Sequence, residues 1–169
     1  GKIHAGKIGF ITSLYIVLVP LIESVLFKKK ISFLTVFSIT VCLLGLFFLC
    51  DIRDFSFGLY EFIVLCSAFL YALEIIYIDH KAAGVNIYKF TFSLCFGTFV
   101  FCFVFSLFEG MQLFNIKNAL VPVLYMGVVA GALGYYFQSR GQSLTPGTVA
   151  SLIMALESVF SMIGGIVLL

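Results

Sequence analysis

The sequence predicts an all-α, polytopic membrane protein with six transmembrane helices. Three observations carry that reading. Mean hydropathy is +1.18. Hydrophobic residues make up 62% of the chain and charged residues only 11%. The charges are also segregated, since residues 31–50, 90–108 and 118–139 carry none. Each of these runs is about 20 residues long, which spans a hydrocarbon core of about 30 Å at about 1.5 Å per residue. Backbone polar groups find no partner in lipid, so such spans must be helices; the alternation of barrel strands is absent.

The first span covers 8–27 and stops at Lys28-Lys29-Lys30. Lys2 and Lys7 ahead of it imitate a signal peptide, but the apolar run is too long and lacks a small-x-small cleavage site. The second span, 31–50, starts directly after the lysines. The third, 58–78, ends before Asp79-His80-Lys81. The fourth, 87–108, opens with Lys89, whose long stem lets its charge reach the headgroups. The fifth covers 119–138. The sixth covers 148–169, with Thr145 suited to an N-cap and Pro146 to the first helical position. Six spans and short loops fill 169 residues and leave no room for a soluble domain. The chain starts without Met, and Ile166-Val167-Leu168-Leu169 stops inside an apolar run. Both ends look cut, so a fragment of a longer protein is expected.

The loops alternate between two sides. Lys28, Lys29, Lys30, Lys81, Lys89 and Arg140 fall on one side, and Lys2, Lys7, Arg53 and Lys117 on the other. The positive-inside rule makes the first side cytoplasmic. A net charge of +2, with the basic residues at span ends, argues against a nucleic-acid partner. Cys42, Cys50, Cys66, Cys95 and Cys102 show no CxxC spacing and no nearby histidine, so they read as small buried hydrophobes, with no metal or cofactor implied. His4 and His80 are loop residues without metal-ligand companions. The partner that composition implies is the lipid bilayer, and a second copy in a homodimer stays open.

A weak repeat relates the first and sixth spans. At an offset of 142 residues, Ile11, Ser13, Leu14 and Val17 fall on Ile153, Ala155, Leu156 and Val159, and Ala5-Gly6 on Gly147-Thr148. The sixth span comes five after the first, so the two run in opposite directions. Similar segments at an odd offset in spans are the signature of an inverted-topology repeat, a device of transporters.

Polar groups and small residues mark faces on these helices. In the fifth span Gly127, Gly131, Gly134 and Gln138 recur on one stripe, and Gly127 and Gly131 form a GxxxG that suits close helix packing. Gln138 closes that stripe at its cytoplasmic end. Glu157 lies nine residues into the sixth span, about 14 Å deep. A carboxylate there costs about 2.5–3.5 kcal/mol even on the lenient insertion scale. It must face a wet cavity, find a partner or be protonated. A structural hydrogen bond and a role toward substrate or protons both stand as readings. Glu74 lies one turn from the end of the third span and either snorkels or serves the same site. Glu23 and Glu61 lie near span ends and read as interfacial. H-E-x-x-H, G-x-S-x-G and P-loop motifs are absent, which lowers the odds of an enzyme.

The stretch from Leu124-Tyr125-Met126-Gly127-Val128 through Gly134-Tyr135-Tyr136-Phe137-Gln138 to Gly141-Gln142 resembles the eighth helix of EamA-like transporters, members of the drug/metabolite transporter (DMT) superfamily. Thr148-Val149-Ala150-Ser151-Leu152-Ile153-Met154-Ala155-Leu156-Glu157-Ser158-Val159-Phe160 resembles the ninth, where a Leu-Glu-Pro/Ser/Ala-Val-Phe core is usual. Ile11-Thr12-Ser13-Leu14-Tyr15-Ile16-Val17-Leu18-Val19-Pro20 is similar to the fourth helix. Tyr71-Ala72-Leu73-Glu74-Ile75-Ile76-Tyr77-Ile78-Asp79 is similar to the end of the sixth, where a polar residue often stands at the Glu74 position.

The resemblance implies that residues 1–50 hold the last two helices of a first five-helix repeat. Residues 58–169 would then hold four helices of a second, inverted one. It implies a secondary transporter of small metabolites in a bacterial plasma membrane, exporting amino acids or related compounds. The alternatives are a membrane-embedded enzyme and a non-transporting helical scaffold. A cavity lined by Glu157, Tyr135 and Gln138 is the expectation for transport. On topology, a single cysteine at Ser56 should react with an impermeant thiol reagent added outside, and one at Lys29 should not. The reverse pattern would overturn the orientation.

Overall fold

The computed structural model describes residues 5–50, 57–82, 84–109 and 116–160. Among them every regular element is helical. In chain order these are α1 (Ala5–Ser13), α2 (Tyr15–Phe27), α3 (Phe33–Leu49), α4 (Leu59–Ala82), α5 (Ile87–Glu109), α6 (Ile116–Leu124), a π-helical segment (Tyr125–Leu133), α7 (Gly134–Gln142) and α8 (Gly147–Met154). Helix resumes at 156–160. Four continuous stretches are long and apolar enough to cross a membrane: Lys7–Phe27, Leu59–Ala82, Ile87–Phe108 and Leu120–Gln142. Phe33–Leu49 and Gly147–Phe160 are shorter apolar helices. The chain is therefore an all-helical, polytopic membrane protein. Residues 161–169 of the expected sixth span lie outside the described residues.

The helix ends follow local chemistry. Ser32 caps α3, its hydroxyl accepting from the Leu34 N–H at 3.3 Å. Asn86 caps α5 by accepting from the N–H groups of Tyr88 and Lys89. Glu61 stands at the third position of α4 and reaches back to the Gly58 N–H at 2.9 Å, half of a capping box. Two ends differ from the sequence expectation. Helix α4 runs through Asp79-His80-Lys81 to Ala82, because basic residues in a last turn suit the carbonyl end of a helix. Helix α8 begins at Gly147, with Pro146 rather than Thr145 as its N-cap. The Pro146 backbone is extended at ψ 142°, and its carbonyl accepts from both Val149 and Ala150 at 2.9 Å.

The chain divides into two compact units. One holds the chain up to Ile78 together with the chain from Thr145 onward. Its core joins Tyr15, Ile16 and Val19 of α2 to Ile39 and Leu46 of α3, Ala72, Ile75 and Ile76 of α4, and Ala155. The spacings are one helical face each, i, i+3, i+4 or i+7. Small Ala72 and Ala155 let the helices close on the larger α2 side chains. At one end of this unit Lys7 and Glu61, both largely buried, pair at 2.7 Å and join α1 to α4.

The other unit covers Asp79–Leu144. Here α5 packs on α7 and on the π-helical segment. Tyr88 stacks on Tyr136 at 5.4 Å and 20°. Phe92, Phe96, Phe99 and Phe103 form an exposed ladder along α5, with successive rings 5.8 to 6.4 Å apart. Such a face suits lipid tails, which are as apolar as the rings.

The π-helical segment departs from the regular helix expected at 119–138. Pro122, three residues upstream, has no N–H to donate, so the ladder is already broken there. The wider turn is visible where the Gly134 N–H reaches the Val129 carbonyl, five residues back. Among the described residues no other helix comes within 4 Å of a methyl placed on Gly127, Gly131 or Gly134. On Gly131 that methyl would lie 3.2 Å from the Met126 carbonyl oxygen, a consequence of the wide turn. On Gly127 it would meet open space. Gly127→Ala should therefore raise the unfolding midpoint, because alanine is favoured over glycine in a helix by about 0.5–1 kcal/mol. Gly131→Ala should forfeit that gain. Equal midpoints for the two variants in detergent would contradict the π geometry.

Candidate functional site

The first span tightens just after two hydroxyls that bond back to their own helix. Thr12 donates to the Ile8 and Gly9 carbonyls, and Ser13 donates to the Gly9 carbonyl at 2.7 Å. Back-bonding of this kind loosens the backbone ladder. Leu14 then takes tight-turn angles, φ −61° and ψ −14°, and separates α1 from α2. Its N–H bonds the Ile11 carbonyl three residues back, and its carbonyl accepts from both Val17 and Leu18, three and four residues on. The sixth span does the same at Ala155, with φ −59° and ψ −23°. There the Ser158 N–H reaches the Ala155 carbonyl three residues back. Both are single turns of 3₁₀ character inside apolar spans.

Helix α2 packs along α8. Their register is set by Glu23, which is 3% exposed. One carboxylate oxygen accepts from Lys29 Nζ at 2.7 Å. The other accepts from Thr148 Oγ1, also at 2.7 Å. The sequence placed Glu23 at an interface; the fold buries it instead, because Thr148 and Lys29 offset the cost of removing it from water.

Beside these two turns lies the middle of this helix pair. Tyr15 is buried, with its ring edge-on to Tyr71 of α4 at 4.9 Å and 88°. It shares a core cluster with Ala155. Glu157, two residues beyond Ala155, is exposed. Its carboxylate has no hydrogen-bond or ion-pair partner among the described residues. It lies ten residues past Gly147, about 15 Å along the helix.

The sequence-selected residues divide between the two units. Glu157 and Glu74 belong to the first, with Glu74 half-buried on α4. Tyr135 and Gln138 belong to the second, both half-buried on α7. The Gln138 side-chain nitrogen is buried and unbonded among the described residues. Gly127, Gly131 and Gly134 lie in or at the end of the π-helical segment. Sequence reasoning passed over Tyr15 and read Glu23 as interfacial. The signal for Tyr15 was present, since the 142-residue offset that aligns the two spans puts it on Glu157.

Residues 58–169 match the EamA-like transporter family. The chain is also similar to an uncharacterized transporter of Archaeoglobus fulgidus, 27% identical over 157 residues. That match covers 93% of this chain and 50% of the archaeal protein, so the chain spans half the length of that relative. No solved structure matches.

The Glu23–Thr148 bond gives a direct test of the register. Thr148→Val keeps the shape and removes the donor, leaving a buried carboxylate oxygen short of a partner. It should destabilise the full-length protein by about 1–3 kcal/mol, read as a lower unfolding midpoint in detergent. Thr148→Ser, which keeps the hydroxyl, should restore most of the loss. A neutral Val variant would mean that Glu23 and Thr148 are not bonded.

Proposed function

Because the chain belongs to the EamA-like transporter family, we propose that its parent protein is a secondary transporter that exports amino acids or related small metabolites across a plasma membrane. The single observation that carries this reading is Glu157. It is a carboxylate at mid-depth on an otherwise uncharged helix, without a hydrogen-bond or ion-pair partner among the described residues. A group so placed is costly unless it meets water or a ligand. In transporters built from inverted repeats, the binding site lies near the midplane, where repeats meet. The chemistry that suits Glu157 is an ammonium group, which supplies charge and three hydrogen-bond donors in one compact head. Amino acids carry that head, and a site for it leaves the side chain of the cargo to be read elsewhere. Glu74, half-buried on α4 of the same unit, is a further carboxylate that this reading would recruit.

The test uses the full-length protein in liposomes loaded with an equimolar mixture of the twenty amino acids, with efflux of each followed by mass spectrometry. Glu157→Gln keeps the shape of the side chain and removes its charge. Efflux of the transported amino acids should fall by about 10- to 100-fold, the worth of one charge-assisted contact. The unfolding midpoint should stay near that of the unmodified protein. Normal efflux by the variant would remove Glu157 from the site. A lowered midpoint with residual efflux in proportion to folded protein would make it a structural carboxyl.

A further inference from the structure

At one end of the second compact unit, Asp79–Leu144, two cations flank a pair of stacked tyrosines. Helices α5 and α7 pack together, and the Tyr88–Tyr136 stack ties one to the other. Lys89 follows Tyr88 directly on α5. Arg140 lies one turn beyond Tyr136 on α7, where residues four apart are neighbours at about 5–6 Å between Cβ atoms. Lys89 and Arg140 are both exposed, and among the described residues neither takes part in an ion pair. The described charges of this unit lean the same way, with Lys81, Lys89 and Arg140 against Asp79. The backbone at the start of α5 is already committed, because Asn86 accepts from the N–H groups of Tyr88 and Lys89. Charge at this end is therefore offered by side chains.

Below the stack the same face of α5 is aromatic. Tyr88, Phe92, Phe96, Phe99 and Phe103 recur at i, i+4, i+8, i+11 and i+15, which makes one exposed stripe. Lys89 stands three residues before Phe92, at the head of that stripe. The rings contact one another from Phe92 to Phe103. That stretch is about 16 Å long, close to one leaflet of a hydrocarbon core of about 30 Å. Cations and interfacial tyrosines at the top, with a dry wall one leaflet deep below them, complement an anionic head on an apolar tail. A second copy packed side by side on the same face would bring its own Lys89 and Arg140 to the same end, where like charges repel.

We infer that this face is a binding site for an anionic phospholipid: Arg140 and Lys89 hold the phosphate, the Tyr88–Tyr136 stack sits at the depth of the headgroup, and the phenylalanine ladder takes an acyl chain. The guanidinium fork of Arg140 matches phosphate oxygens two at a time, and Lys89 adds a point charge. Lipid tails satisfy the ladder whatever their headgroup, so selection among lipids falls to the two cations. A zwitterionic head carries its own cation beside the phosphate and gains less from them. By the positive-inside rule this end is the cytoplasmic one, the side on which basic groups draw anionic lipid.

The test is native mass spectrometry of the full-length protein from mixed micelles with equal amounts of phosphatidylglycerol and phosphatidylcholine. The unmodified protein should retain phosphatidylglycerol about 10- to 30-fold over phosphatidylcholine. Lys89→Gln and Arg140→Gln should each lower that ratio about fivefold, the worth of one basic group near an anionic surface, and the double variant should bring it near unity. Lys89→Arg combined with Arg140→Lys keeps both charges and should keep most of the preference. Both side chains are exposed, so folding should tolerate all of these changes. Equal retention of the two lipids by the unmodified protein, or an unchanged ratio in the double Gln variant, would overturn the site. Displacement of phosphatidylglycerol by excess inorganic phosphate would make it a free-anion site and overturn the role of the ladder. Efficient self-crosslinking of Phe96→Cys, in an otherwise cysteine-free protein, would give the face to a second copy and overturn the lipid.

Discussion

The contact on which the rest of the first unit depends is the carboxylate of Glu23, held between Lys29 and Thr148. A carboxylate that is 3% exposed and anchored on both oxygens has one geometry available. Moving the sixth span by one turn, about 5.4 Å, would strip Thr148 from it and leave a buried oxygen without a donor. The register of α2 against α8 is thereby fixed. Everything deeper along the two helices follows from it, including the core that Tyr15 shares with Ala155. Hydrophobic contacts could not do this alone, because lipid tails satisfy Ile16 and Val19 as well as a neighbouring helix does.

The same constraint explains where the other polar side chains stand. In a chain that is 11% charged, each polar group within a span must be matched or moved to an end. Lys7 and Glu61 are matched with one another, and Glu61 also closes the start of α4. Thr12, Ser13, Thr40 and Thr98 are matched by their own helices, each donating to a carbonyl one turn back. In the first span that internal solution has a structural consequence, the tight turn at Leu14. Caps by Ser32 and Asn86 lie at helix ends, where the unpaired N–H groups are.

The sequence disclosed the architecture because hydrocarbon thickness acts on length and composition, both of which can be counted. All six apolar runs became helices over the described residues, within a few positions of the expected bounds. Two kinds of feature were hidden. The π-helical segment depends on how the ladder recovers after Pro122, and Gly127 and Gly131 look the same in a close-packed stripe as in a wide turn. Burial of Glu23 depends on Thr148, 125 residues away, and no local pattern reports such a partner. Glu157 was legible because depth alone makes a carboxylate costly. Tyr15 was half legible: the offset that pairs it with Glu157 could be drawn, but a tyrosine in an apolar span is an ordinary core residue until a neighbour singles it out.

Glu23 and Glu157 sit on the same pair of spans and show two fates for one side chain. Glu23 is bonded on both oxygens and closed off from its surroundings. Releasing it would cost two charge-assisted bonds, so it can serve only as a fixed strut while they persist. Glu157 is exposed, and among the described residues nothing bonds its oxygens. A ligand that approaches it displaces no protein partner and gains the whole interaction. A binding carboxylate must keep that capacity in reserve, and a structural one must spend it within the fold. Tyr15 divides its own groups in a similar way. Its ring is committed to Tyr71, while its hydroxyl bonds no described group, so the protein holds the aromatic part rigid and leaves the polar part available. Of the two acidic positions, the one with spare bonding capacity stands two residues beyond the tight turn at Ala155, on the helix that Glu23 holds in register through Thr148.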